Sequence, residues 1–173
     1  MEINRWRTGK EDVIKHRFMR QANRGSYAFL VLCGLLMAVP PAQAQLRDAD
    51  SAIKHRRAAF TLISTYFGRI TAMVKGDRPF DRAELIHNIE LVQFVAQLPW
   101  EAFTPGSEVG ETRAEADIWL DEDHFKEYQQ RLHEKLKAFR LVASTGEMPA
   151  LTQAFEETRG ACGTCHKAFR KDW

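Results

Sequence analysis

Residues 149–170 read PALTQAFEETRGACGTCHKAFR, and this stretch decides the fold. Leu151, Phe155, Thr158, Cys162, Cys165 and Phe169 recur at alternating steps of four and three, which places them on one face of a helix. Within that face lies Cys162-Gly163-Thr164-Cys165-His166, a C-x-x-C-H run, the attachment signature of haem c. One helical turn brings two thiols within reach of the two vinyl groups of a single porphyrin. His166 follows directly and offers its imidazole to the iron. A disulfide-redox C-x-x-C would open a helix after a strand, and no such setting is present. A structural zinc site would need a second closely spaced Cys/His pair, which the sequence lacks.

Working back along the chain, Pro and Gly divide the sequence into three further helical segments. The first is expected from about Asp48 to Lys75, with its stripe at Ile53, Phe60, Ile63, Phe67, Ile70 and Val74 and a stop at Gly76-Asp77-Arg78-Pro79. The second starts after Asp81, an N-cap with Glu84 three residues on, and ends before Pro99. A long connection carrying Pro105, Gly106 and Gly110 follows. The third is expected from about Ala114 to Ser144, repeating at Ile118, Phe125, Tyr128, Leu132, Leu136, Phe139 and Val142, and ends at Gly146. No segment alternates with period two. The expected fold is all-α: an antiparallel four-helix bundle with covalently attached haem c. The 11 phenylalanines and 4 tryptophans suit a core lining a flat apolar guest.

The 173 residues carry a formal charge of +2, from 25 basic and 23 acidic side chains. Seven of the basic and three of the acidic residues fall in the first 44, leaving 129 residues with 18 basic and 20 acidic. The apparent basicity thus belongs to the front of the chain, and a nucleic-acid partner loses its main support. Tyr27–Val39 is an uncharged apolar run, preceded by Arg20 and Arg24 and followed by Pro40-Pro41-Ala42-Gln43-Ala44. These features predict a secretory signal peptide over 1–44, cleaved after Ala44, and a haem domain over 45–173. Thirteen apolar residues fall short of the roughly 20 of a spanning helix, so no stable membrane anchor is expected. Met19 opens a more conventional leader and is an alternative start. Cys33 would leave with the leader, so Cys162 and Cys165 would remain as the cysteines of a periplasmic protein.

Four local matches make the chain resemble the cytochrome c′ family. They are Ile53-Lys54-His55-Arg56-Arg57-Ala58-Ala59-Phe60, Phe103-Thr104-Pro105-Gly106-Ser107, Ala116-Asp117-Ile118-Trp119, and the C-terminal run Cys162–Arg170. The resemblance implies that Phe60 faces the open side of the haem, where relatives with methionine can be six-coordinate electron carriers of the cytochrome c556 type. Phenylalanine has no lone pair. Met73 lies 13 residues on, roughly 20 Å along a helix, too far to substitute. Met148 is expected in a loop, and His55, His87, His124 and His133 as solvated or capping side chains. A five-coordinate, high-spin iron with His166 as its single protein ligand follows.

The resemblance also implies binding of nitric oxide and carbon monoxide, pairing as a homodimer through the first two helices, and a place for Arg56 and Arg57 near the haem propionates. Guanidinium pairs well with carboxylate, which gives that placement a physical basis. Arg170, four residues beyond His166, either polarises the proximal pocket or is a solvated terminal cation. Asp117 either lies at the haem edge or caps a helix. Three functions compete: a gas-binding haem protein, an electron carrier to an unknown redox partner, and an enzyme such as a peroxidase. The last would want a distal acid/base over the iron, and none is evident beside Phe60, so no enzyme is expected.

Overall fold

A computed structural model describes residues 48–172. The expected signal peptide, Cys33, the two candidate starts and the cleavage site lie outside these residues.

The first helix, α1, spans Ala49–Lys75. Asp48 caps its start by accepting from the backbone N–H of Ser51 at 3.0 Å. Its end is set by Gly76, whose φ of +82° is the left-handed conformation that glycine adopts without Cβ strain, and whose N–H reaches Met73 O. Helix α2 spans Arg82–Val95, with Asp81 accepting from Glu84 N at 2.9 Å. Pro99 stops further helix, and a short 3-10 turn, Trp100–Ala102, opens the long connection.

The third expected segment is two helices, not one. Asp117–Leu120 forms a single turn, α3, and Glu122–Thr145 forms α4. The break falls at Asp121, whose non-helical backbone (φ −132°, ψ 64°) lets its carboxylate cap the N–H of His124 at 3.3 Å. The last helix, α5, spans Met148–Phe169 with Pro149 in its first turn, where a missing N–H costs nothing. Met148 therefore starts a helix instead of lying in a loop. No strand is formed among the described residues; one isolated bridge joins Ala114 to Arg170.

The four long helices close into a bundle. α1 packs on α2, α2 on α4 and α4 on α5. The ring is completed where Phe67 of α1 stacks on Phe155 of α5, centroids 5.5 Å apart. Ile70, Met73, Leu85, Ile89, Leu136, Phe139, Leu151 and Phe155 fill the main core. A second, smaller cluster gathers at the α5 C-terminal end: Ala114, Ile118, Phe125 and Phe169, with Phe103, Trp119 and Tyr128 against them. Trp100 packs against both clusters. Helical periodicity thus built the first core, while the second adds Trp100, Phe103 and Ala114 of the Pro99 corner and long connection to the helix ends. No described helix is long and apolar enough to cross a membrane.

Candidate haem site

α5 delivers its two thiols to different surroundings. Cys162 packs against the main core and Cys165 against the aromatic cluster. Both are free and half-buried. Burial raises the Cys162 thiol and pushes Cys165 up to about 11, Cys162 adding to the latter. Both side chains are therefore neutral thiols at neutral pH.

His166, also half-buried, is held below its ordinary pKa, chiefly by burial and then by the charges of Arg170 and Arg113. It is therefore neutral and keeps a ring nitrogen lone pair for a metal. Among the described residues, no three His, Cys, Asp or Glu side chains gather into a metal cage, so Cys162, Cys165 and His166 do not converge as zinc ligands do. Two free thiols three residues apart and a neutral imidazole directly after the second, all half-buried on one helix, fit a porphyrin attached at two points and ligated at a third.

Phe60 of α1 turns toward the aromatic cluster, edge-on to Trp100 at 5.9 Å and to Phe103 at 6.5 Å. A cleft bordered by Trp100, Phe103, Ile118, Trp119 and Phe125 lies in the same cluster. Met73 is 2% exposed inside the main core, where its thioether serves as filling. Cys165, Phe60 and the connection's aromatics are thus brought to one end of the bundle.

Arg56 and Arg57 both reach from α1 to the long connection. Arg56, 3% exposed, gives all four Nη hydrogens to the long connection: Nη1 to Ala102 O (3.0 Å) and Ser107 Oγ (2.6 Å), Nη2 to Ser107 O and Thr112 Oγ1 (2.7 Å). Its guanidinium also lies 4.8 Å from the Phe103 ring centroid and 5.8 Å from that of Trp119. Arg56 thus ties the connection to α1. Arg57 is exposed and paired with Glu111 at 3.2 Å. Such a surface pair contributes little.

Arg170 is also not where a continued helix would put it. α5 ends at Phe169, and Arg170 adopts extended backbone (φ −126°, ψ 123°) in the bridge to Ala114. Its charge nevertheless acts on His166, as noted above. Asp117 is exposed in the first position of α3 and caps nothing; Asp121, four residues on, is the capping carboxylate.

Two more residues complete the site: Trp100, which the sequence reading did not single out, and His133, expected as a solvated or capping side chain but half-buried here. Trp100 Nε1–H donates to His133 Nε2 at 3.1 Å, from the 3-10 turn to α4. Burial holds His133 below its ordinary pKa, and the contact fixes Nε2 as its acceptor nitrogen. A proline corner followed by an aromatic, opposite a histidine on an apolar face, is a weak signal that could have suggested the pair. On unfolding, His133 regains a pKa of about 6.5. As pH falls the unfolded chain takes the proton first, so stability present above that value is lost as pH drops through the lower folded one. His133→Gln is expected to flatten the fall in stability as pH drops below about 6.5, measured by chemical denaturation. An unchanged slope would rule out His133 as the source.

A family model for cytochrome C′ matches residues 51–170. The cytochrome c′ of Alcaligenes xylosoxydans xylosoxydans is 38% identical over 127 residues, covering 73% of this chain and 98% of that one. Among solved structures, the cytochrome c prime of Shewanella frigidimarina aligns with a TM-score of 0.70 and 34% identity over 73% of this chain and 98% of its own. A variant of cytochrome c prime from Alcaligenes xylosoxidans, solved as a nitric oxide complex, gives a TM-score of 0.68 and 36% identity at the same coverage. With the bundle, the C-x-x-C-H helix and this match over nearly the whole described region, the chain belongs to the cytochrome c′ family and carries that family's one covalent haem c through Cys162 and Cys165.

Proposed function

We propose that this cytochrome is a periplasmic, five-coordinate, high-spin haem protein that binds nitric oxide and carbon monoxide and passes single electrons to a redox partner. The observation that carries the reading is Phe60: the α1 side chain turned toward the aromatic cluster is carbon only and cannot ligate. The bound haem supplies the iron that holds a diatomic gas or stores an electron. His166 supplies the single protein ligand, kept neutral by burial. Phe60, Trp100 and Phe103 exclude water and offer no hydrogen bond at Phe60, which disfavours polar bound dioxygen relative to the other two gases. Nitric oxide is bound by the Alcaligenes xylosoxidans relative, which supports the same ligand here.

Export rests on the apolar run Tyr27–Val39 and the Ala42-Gln43-Ala44 site, and N-terminal sequencing of the exported protein should begin at Gln45. The chain pairs as a homodimer; Leu62 on α1 and Phe94 on α2 are exposed large apolar side chains on the two helices concerned. Sedimentation equilibrium tests the pairing.

The decisive experiment is the absorption spectrum of the ferrous protein with and without nitric oxide or carbon monoxide. A high-spin spectrum that changes with either gas is expected; a low-spin Met–His or bis-His spectrum would overturn the reading. Phe60→Ala is expected to raise gas on-rates on the order of tenfold, a barrier change of about 1.4 kcal/mol. Unchanged rates in stopped flow would show that Phe60 is not the gate.

A further inference from the structure

We propose that Trp100 and His133 form a redox-active pair in which Trp100 donates an electron to a peroxide-derived one-electron oxidant in the aromatic cluster around Cys165 while His133 takes its proton. The inference is independent of the gas-binding reading and stands on placement. Trp100 packs against both cores, stacks on Phe103 (6.3 Å between centroids, 21° between planes) and meets Phe60 and Phe125 edge-on at 5.9 and 6.0 Å. Cys165 packs against the same cluster, so Trp100 lies in the surroundings of one haem-bearing thiol. On the other side, its Nε1–H points at a nitrogen base 3.1 Å away.

Trp119 makes the contrast. It belongs to the same cluster, but its Nε1–H is shared between the carbonyl oxygens of Phe103 and Thr104, both at 3.1 Å. A carbonyl accepts a hydrogen bond and does not take up a proton, whereas a neutral imidazole does both. An oxidised Trp100 therefore has a base in place, and an oxidised Trp119 has none in these contacts. His133 in turn borders a surface groove with Gln93, Gln97 and Lys137, which opens the pair to solvent-borne reductants.

The step balances as follows. One electron leaves the Trp100 indole for the oxidant, which is reduced by one. The Nε1–H bond breaks, the proton forms a new N–H bond at His133 Nε2, and a neutral indolyl radical faces an imidazolium. One electron from a soluble reductant such as ascorbate restores Trp100 as the proton returns. The net effect is that an oxidising equivalent leaves the aromatic cluster instead of damaging it.

The test uses the full haem-loaded protein in two arms: hydrogen peroxide with rapid-freeze electron paramagnetic resonance, and a photogenerated ruthenium(III) tris-bipyridine oxidant with transient absorption. A neutral indolyl radical is expected in both. Trp100→Phe should remove it. His133→Gln keeps an acceptor for the indole N–H but offers no base, and should slow its formation about 100-fold, the scale of a positioned general base. Ring-deuterated tryptophan in the unsubstituted protein identifies the radical's residue type even if Trp100→Phe does not fold. An unchanged rate in His133→Gln would overturn the proposal. So would an undiminished radical in a folded Trp100→Phe, or a radical that is not tryptophan.

Discussion

Alanine at both Cys162 and Cys165 is expected to abolish covalent pigment: acid–acetone should extract all haem, and a denaturing gel should show no haem-stained band. The two thiols sit on one buried face of α5, three residues apart, and each meets a different core. Each single variant should keep one thioether and remain stained. Because the two thiols pack against different cores, loss of the group they hold should also leave the double variant much less stable to heat. A double variant that still resists extraction would show that attachment lies elsewhere.

The second large effect is expected at Arg56. Methionine there keeps the aliphatic stem and deletes all four hydrogen bonds to Ala102, Ser107 and Thr112. The acceptors stay behind, several of them buried, and an acceptor left without a partner costs more than a bond is worth. About 3 kcal/mol of stability should be lost, or on the order of 10 °C in the melting temperature for a domain of this size. Arg56→Lys should recover only part of this, since one ammonium cannot reproduce a planar fork. Thermal unfolding by circular dichroism checks both; a shift of Arg56→Met no larger than that of a surface substitution would mean the connection is held without the clamp.

The bundle was legible because its signals are local. Apolar steps of three and four, Asp48 and Asp81 before the helices and Gly76 and Pro99 after them place α1, α2 and α5 close to where they lie. The third segment failed at Asp121. Ile118 and Phe125 keep helical spacing across it, so the periodicity gives no warning, and the break depends on one carboxylate turning to cap His124. Within the site, the cysteines and His166 read directly from their spacing. Arg56 did not, because its partners lie 46 to 56 residues away and are mostly backbone or hydroxyl oxygens, which carry no sequence pattern. The Trp100–His133 bond spans 33 residues for the same reason. Long-range pairing is decided by packing, and packing is what a linear reading lacks.

The arrangement of helices also bears on the order in which the molecule assembles. α1 with α2, and α4 with α5, are chain neighbours whose contacts close short loops, so both hairpins should be present in the folding transition state. The Arg56 clamp must wait until the long connection has come round. Its removal should therefore quicken unfolding by nearly the whole loss in stability while leaving the refolding rate almost untouched. The clamp would then act as a latch on a finished protein: it has little part in how fast the bundle forms, and it governs how long the bundle, and the pigment within it, endures.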